Sequence, residues 1–153
     1  MKRFLASGFG IGLFWRTYFG DKKGGGTLAS FLFALITYVF NLNVLELSIL
    51  FIVLVLTYLV SVDDNEANDD PSWITLDEIV GMSLVTIASP SRLLPLLAGF
   101  LVFRLSDIMK QPKFVAELEK HPGKPGVLYD DLGAGLMGLL SATVVNQIIN
   151  LTL

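Results

Sequence analysis

Three long segments without a charged residue constrain the fold of this chain more than any other feature. They run from Thr27 to Leu45, from Leu47 to Val62 and from Leu132 to Leu153. The last is long enough, as a helix, to cross a bilayer, which takes about 20 residues. Apolar residues make up 53% of the sequence and charged residues only 16%, a balance unlike that of an ordinary soluble domain. The sequence therefore predicts an all-α, polytopic membrane protein that forms a single domain over residues 1–153.

The segment before the first apolar run is rich in glycine and phenylalanine and is interrupted by Arg16. It lacks the apolar centre and cleavage site of a secretory signal, so we expect the protein to retain it. The run Gly24-Gly25-Gly26 allows unusual backbone angles and close approach of another group. A phosphate-binding loop is one use of such a run, although no Walker or Rossmann pattern is present. A flexible loop or close helix packing is the use that we favour.

A fourth apolar segment, from Ile79 to Phe103, is broken by Ser89-Pro90-Ser91-Arg92. Lysines and arginines lie mainly before the first span and between Arg104 and Lys124. The positive-inside tendency places both groups in the cytoplasm, so an even number of crossings must separate them. The segment is therefore predicted to form a hairpin, either re-entrant or made of two short spans, with Arg92 at its tip. All acidic clusters then lie at one membrane face.

The first acidic cluster precedes and begins a predicted helix. Thr75 followed three residues later by Glu78 has the spacing of a capping box. The helix is therefore expected to begin near Leu76, with Asp77 and Glu78 in its first turn. Such acids commonly do no more than satisfy the helix end and its dipole.

The second cluster contains Arg104, Asp107 and Lys110, which recur every three residues and share one side of a helix. Two interpretations remain open. One is a surface ladder of ion pairs. The other is a phosphate clamp, in which the arginine offers a planar fork, the lysine a point charge, and the aspartate orients them or holds a metal.

The third cluster is the pair Asp130-Asp131, at the end of a predicted polar loop from Arg104 to Asp131 and just before the last apolar run. One of the two can serve as an N-cap, but adjacent carboxylates at a membrane face also suit a cation, and Mg²⁺ binds carboxylate, phosphate and water oxygens. The chain has no cysteine and only one histidine, which argues against zinc. A net charge of −3 without a basic run argues against nucleic acid. The candidate metal ligands are Asp70, Asp77, Glu78, Asp107, Asp130 and Asp131.

In order and rough spacing, these clusters resemble the signature of the phosphatidylglycerophosphatase A family. The resemblance rests on Asp70 to Met82, on Phe103-Arg104 with Asp107 and Lys110, on Asp130-Asp131 before Ala134-Gly135, and on Gly26-Thr27-Leu28. It implies a multi-pass enzyme of the bacterial inner membrane with its acidic site facing the cytoplasm. Its reaction would be the Mg²⁺-dependent hydrolysis of phosphatidylglycerophosphate to phosphatidylglycerol and phosphate.

This resemblance leads to a hypothesis for each site residue. Asp77, Glu78, Asp130 and Asp131 are the predicted catalytic carboxylates; with Asp70 they would hold Mg²⁺ and position water. Arg104 and Lys110 would bind the phosphomonoester and offset its charge. Direct attack by water and a phospho-aspartyl intermediate both remain open, as does the oligomeric state. One alternative is a small cation-coupled carrier that uses membrane-edge carboxylates; another is a scaffold whose acids serve only as caps.

Overall fold

A computed structural model describes residues 1–68 and 71–152. Within these residues the secondary structure is entirely helical, as the apolar runs predicted. The helices are α1 (Lys2–Ala6), α2 (Ile11–Phe19), α3 (Gly25–Val39), α4 (Val44–Ser61), α5 (Asp64–Ala67), α6 (Leu76–Ala88), α7 (Leu93–Met109), α8 (Lys113–Leu118) and α9 (Lys124–Thr152).

Two of the described helices, α4 and α9, are long and apolar enough to cross a membrane. Their outward faces expose large apolar side chains that no other part of the described chain covers. Soluble monomers rarely leave such continuous apolar surface in water. On α4 and α9 the exposed residues include Leu45, Ile49, Ile52, Leu56, Val60, Leu136, Leu140, Val144 and Ile148.

The five longer helices run alternately in opposite directions. The α3–α4 turn and the α6–α7 turn line one small recess, which lies at the end of the protein away from the acidic clusters. The segment from Ile79 to Phe103 does form the predicted hairpin. At its tip, Arg92 donates hydrogen bonds of 2.6 Å to Asn146 and Asn150 near the end of α9.

Glycines bring α9 into backbone contact with both arms of this hairpin. A Cβ atom on Gly135 would lie 2.5 Å from the carbonyl oxygen of Gly81 in α6. A Cβ atom on Gly138 would lie 2.7 Å from the carbonyl oxygen of Gly99 in α7. Both distances are shorter than any Cβ contact tolerates, so only glycine permits this spacing. This packing fixes the position of α9 along the axis of α6. It therefore also fixes the relative positions of the acidic residues on the two helices.

The segment before α6 is held by the amino-terminal helices and by α4. The Thr75 N–H donates a hydrogen bond of 3.1 Å to the Ala6 carbonyl, and Trp73 is buried in the core. The fully buried Tyr58 of α4 donates a hydrogen bond of 3.0 Å to the Lys124 carbonyl, where α9 begins. These contacts fix the first turns of α6 and α9 relative to each other.

Two local predictions were wrong. Helix α6 begins at Leu76 as predicted, but no side chain caps it, because the buried Thr75 hydroxyl packs near Gly8 and Glu78 turns away from the helix end. The capping box lies instead at α4, between Asn43 and Glu46.

The second correction concerns the segment before the last apolar run, which was predicted to be a polar loop. Helix α9 begins at Lys124 rather than near Leu132, and α8 also lies within the predicted loop. Asp130 and Asp131 are therefore in the second turn of α9, and neither is an N-cap. Within α9, Asp130 forms an ion pair with Lys110 of the α7 end.

Candidate active site

A cavity of about 820 Å³ lies at the end of the protein where the acidic clusters meet. It is lined by the first turns of α3 and α6, the last turn of α7 and the second turn of α9. Four segments that are distant in sequence thus bring their polar residues together. A volume of this size suits a small ligand or a lipid head group.

Three carboxylates form the most compact group in this cavity. Asp77, Glu78 and Asp131 each offer an oxygen, and these oxygens lie within 4.8 Å of one another. Asp77 and Asp131 are buried, with only 4% of each residue exposed. Glu78 Oε2 and Asp131 Oδ1 are buried and lack a hydrogen-bond partner among the described residues. Buried carboxylate oxygens normally have partners, so this group is suited to a positively charged ligand.

Glu78 has space to enter the cavity only because of a glycine in α3. A Cβ atom on Gly26 would lie 1.7 Å from Glu78 Oε1, which no side chain can tolerate without displacing the carboxylate. The glycine run was predicted to allow close packing, and the structure confirms this at Gly26.

Arg104, Asp107 and Lys110 form a connected cluster on the facing wall, together with Asp130 of α9. Arg104 Nη1 lies 2.8 Å from Asp107 Oδ2, and Lys110 Nζ lies 3.3 Å from Asp107 Oδ1. Lys110 also forms an ion pair with Asp130. The side chains of Arg104 and Asp107 are only 11% and 13% exposed, so the interpretation as a surface ladder of ion pairs does not apply. Arg104 Nε is buried without a hydrogen-bond partner in the described chain, which leaves donor capacity beside the carboxylates.

The electrostatic environment of Glu78 differs from that of Lys110. Burial raises the pKa of the Glu78 carboxyl to about 8, and the neighbouring charge of Asp131 adds to the effect. Burial by itself lowers the pKa of Lys110, but its hydrogen bond and charge contact with Asp130, aided by Asp107, outweigh this and raise it. Glu78 therefore gives up its proton most readily when a cation is present, whereas Lys110 stays charged.

The carboxylate group has the ligands that a hard divalent cation requires. Mg²⁺ uses one or two carboxylates together with water and phosphate oxygens, and the three acids stand beside a cavity open to both. No nitrogen or sulfur ligand lies in the group, which disfavours zinc. The residues present thus fit Mg²⁺.

The structure brings together all but one of the predicted site residues. Asp77, Glu78 and Asp131 form the carboxylate group, Asp107 and Asp130 pair with the cations, and Arg104 and Lys110 line the same cavity. Asp70 lies outside the described residues. The cavity is also lined by Lys23, Thr27, Asn68 and His121, for which the sequence predicted no site role. Only the glycine run next to Thr27 could have indicated that segment.

The chain is similar to known lipid phosphatases. A protein of Bacteroides thetaiotaomicron named "Putative phosphatidylinositol-3-phosphatase" is 27% identical over 152 residues, which cover 95% of this chain and 93% of that protein. No solved structure matches the chain. The family model of phosphatidylglycerophosphatase A matches residues 4–146, nearly the whole chain. The chain therefore belongs to the phosphatidylglycerophosphatase A family, whose members are phosphatases of phospholipid precursors.

Proposed function

We propose that this protein hydrolyses phosphatidylglycerophosphate to phosphatidylglycerol and inorganic phosphate in a Mg²⁺-dependent reaction. The observation that carries the proposal is the group of Asp77, Glu78 and Asp131 facing Arg104 and Lys110 across one cavity. Metal ligands beside phosphate-binding cations are the elements that metal-assisted phosphate hydrolysis requires. Membership of a phosphatase family supports the enzyme over the cation-coupled carrier.

Five of the acids that line the cavity have one of two roles in this proposal. Asp77, Glu78 and Asp131 hold Mg²⁺, because their oxygens converge and two of them lack other partners. Asp107 and Asp130 orient Arg104 and Lys110, with which they form ion pairs. This division reduces the predicted set of metal ligands to Asp77, Glu78 and Asp131.

The reaction breaks the bond between phosphorus and the head-group oxygen. When bound, Mg²⁺ supplies positive charge for the phosphate oxygens and polarises water. Arg104 and Lys110 bind the non-bridging oxygens and offset the negative charge that grows on them and on the leaving oxygen. The carboxylates hold the attacking water and accept its proton, and the head-group hydroxyl leaves with a proton from solvent.

A second candidate substrate is phosphatidylinositol 3-phosphate, because the Bacteroides relative is named for activity on that lipid. Both lipids carry a phosphomonoester on a polyol that is joined to the lipid by a phosphodiester. The cavity volume of about 820 Å³ suits such a head group. We propose phosphatidylglycerophosphate as the preferred substrate because the family model names it.

We further propose a multi-pass protein of the bacterial inner membrane whose cavity opens to the cytoplasm. Helices α4 and α9 would cross the bilayer, supported by their exposed apolar faces. Lys23, Arg104 and Lys110 line the cavity, whereas Arg92 lies at the opposite end beside Asn146 and Asn150. The larger number of lysines and arginines at the cavity end agrees with a cytoplasmic orientation.

The test is phosphate release from each lipid by detergent-purified protein, with Mg²⁺ and with a chelator. Asp131→Asn should lower kcat at least about 100-fold, because it removes a ligand charge that the site needs. Glu117→Gln is the matched control, since Glu117 is exposed and does not line the cavity. Release that persists without a divalent cation, or in Asp131→Asn, would refute the proposal.

A further inference from the structure

The amino-terminal end of α3 forms a wall of the cavity that the proposed mechanism does not use. Gly24, Gly25, Gly26 and Thr27 all line it. No side chain caps this helix end. The first intrahelical hydrogen bond runs from the Leu28 N–H to the Gly24 carbonyl, at 3.1 Å. The N–H groups of the three preceding residues are therefore not used within the helix.

A helix end of this kind attracts anions. The aligned peptide dipoles place partial positive charge at the amino terminus, and the unused N–H groups point outward along the axis. Here the end belongs to a helix of 15 residues, and the glycines at its first two positions both line the cavity. Thr27, at the third position, adds a hydroxyl on the same wall.

A buried, unpartnered acid of the same cavity indicates that this wall borders a ligand site. Asp131 lines the same cavity, is only 4% exposed, and has a buried Oδ1 atom without a hydrogen-bond partner among the described residues. Glu78 of the carboxylate group lies directly against the helix end, since a Cβ atom on Gly26 would stand 1.7 Å from its Oε1. A phosphate oxygen that binds near the carboxylate group is thus within the reach of the α3 amino terminus.

We propose that the N–H groups of Gly25, Gly26 and Thr27, together with the Thr27 hydroxyl, bind oxygens of the phosphoryl group. The same donors would bind the phosphomonoester of the lipid and the inorganic phosphate that is released. This inference rests on the proposed function for the identity of the lipid, but the binding of inorganic phosphate can be measured without any turnover. Gly26 has a second role as a positioning residue, because its missing side chain leaves room for Glu78.

Calorimetric titration of inorganic phosphate into the purified protein with Mg²⁺ tests the inference. Thr27→Val keeps the shape of the side chain but removes the hydroxyl, so the Kd for phosphate should rise about tenfold. Thr27→Ser restores the hydroxyl and should bind phosphate like the unaltered protein. The affinity for Mg²⁺, titrated without phosphate, should stay unchanged in both variants. In the lipid assay, the KM of Thr27→Val should rise by a similar factor.

The role of Gly26 is tested by a matched pair of variants. Gly26→Ala forces Glu78 to move and should lower the affinity for Mg²⁺ at least about tenfold. A Cβ atom on Gly25 would meet the Ser72 carbonyl oxygen and Trp15 Cγ at 3.3 Å, a tight contact that small shifts relieve. Gly25→Ala should therefore keep its Mg²⁺ affinity. Equal Mg²⁺ affinities for the two variants would refute the positioning role.

The outcomes separate this inference from the proposed function. Phosphate binding that is absent in the unaltered protein, or unchanged in Thr27→Val, overturns the inference. If the protein hydrolyses lipid while Thr27→Val binds phosphate normally, the inference fails alone. If phosphate binding follows the expected pattern but neither lipid is hydrolysed, the proposed function fails and the phosphate site stands.

Discussion

At the residue scale, Lys110 has more charged neighbours than a surface lysine would have. Its Nζ atom contacts Asp107, Glu119 and Asp130, and Asp130 is buried. The sequence identified Lys110 through its three-residue spacing from Asp107. It could not identify Asp130 as a partner, because that contact joins α7 to α9, which are distant in sequence.

Replacing Lys110 should therefore affect both substrate binding and stability. Lys110→Ala removes a charged donor to the phosphate, so the KM should rise about tenfold or more. It also leaves Asp130 buried without its cation, so the Tm should fall. Phosphate-release kinetics and thermal unfolding in detergent measure the two effects. Lys113→Ala is the control, because Lys113 is exposed and outside the cavity; an unchanged KM for Lys110→Ala would contradict the role in binding.

Glu78 makes the stability of the metal-free protein depend on pH. Its pKa is raised from 4.5 to about 8, so between these values the folded protein keeps a proton that the unfolded chain has lost. The free energy of unfolding should therefore decrease as the pH rises through this interval, and level off above it. The proposed function requires Mg²⁺ to bind in place of that proton, so stabilisation by Mg²⁺ should grow over the same interval.

The fluorescence of Trp15 and Trp73 during heating can follow this effect. With a chelator, the contribution of Glu78 to the Tm should fall as the pH rises from about 4.5 to about 8, and Glu78→Gln should flatten the profile. Adding Mg²⁺ should raise the Tm most at the alkaline end. A chelated protein in which Glu78→Gln leaves the pH profile unchanged would contradict the pKa shift.

At the scale of helices, the charge-free runs predicted which segments are helical but not where each helix ends. Long apolar runs leave few alternatives, so α3, α4, the α6–α7 hairpin and the core of α9 were all anticipated. The errors occur where a tertiary contact alters a local preference. Lys110 pairs with Asp130 inside α9. Gly26 of α3 leaves room for the Glu78 side chain away from the end of α6. Neither partner is near in sequence, so no local pattern could show the contact.

The glycine contacts of α9 lead to a prediction about the site. Gly135→Ala pushes α9 away from the Gly81 carbonyl, which should cost about 1–3 kcal/mol of stability. Because Asp131 lies one turn away on α9, the same shift should weaken Mg²⁺ binding. Gly133→Ala is the control, since its Cβ atom would meet side chains rather than backbone, with Leu118 Cδ1 at 2.8 Å and Phe114 Cε2 at 3.2 Å. Thermal unfolding and Mg²⁺ titration give both values, and equal effects of the two variants would contradict the prediction.

At the scale of the whole molecule, the alternating helices make the topology testable. The chain has no cysteine, so single cysteines can be introduced without background labelling. In spheroplasts, an impermeant maleimide should label Asn41→Cys, in the turn between α3 and α4. Lys120→Cys, which follows α8 near the cavity, should react only after lysis. Labelling of both positions from outside would contradict the proposed orientation.

The position of Asp131 also has a consequence for biosynthesis. One carboxylate of the proposed metal group comes from the final helix, whereas the other two come from α6 in the middle of the chain. A nascent chain that extends only to the end of α8 therefore contains Asp77 and Glu78 but lacks Asp131. Competence to bind the ion would arise only after α9 has been translated and has docked. Premature termination products would then be inert toward lipid phosphates rather than partly active.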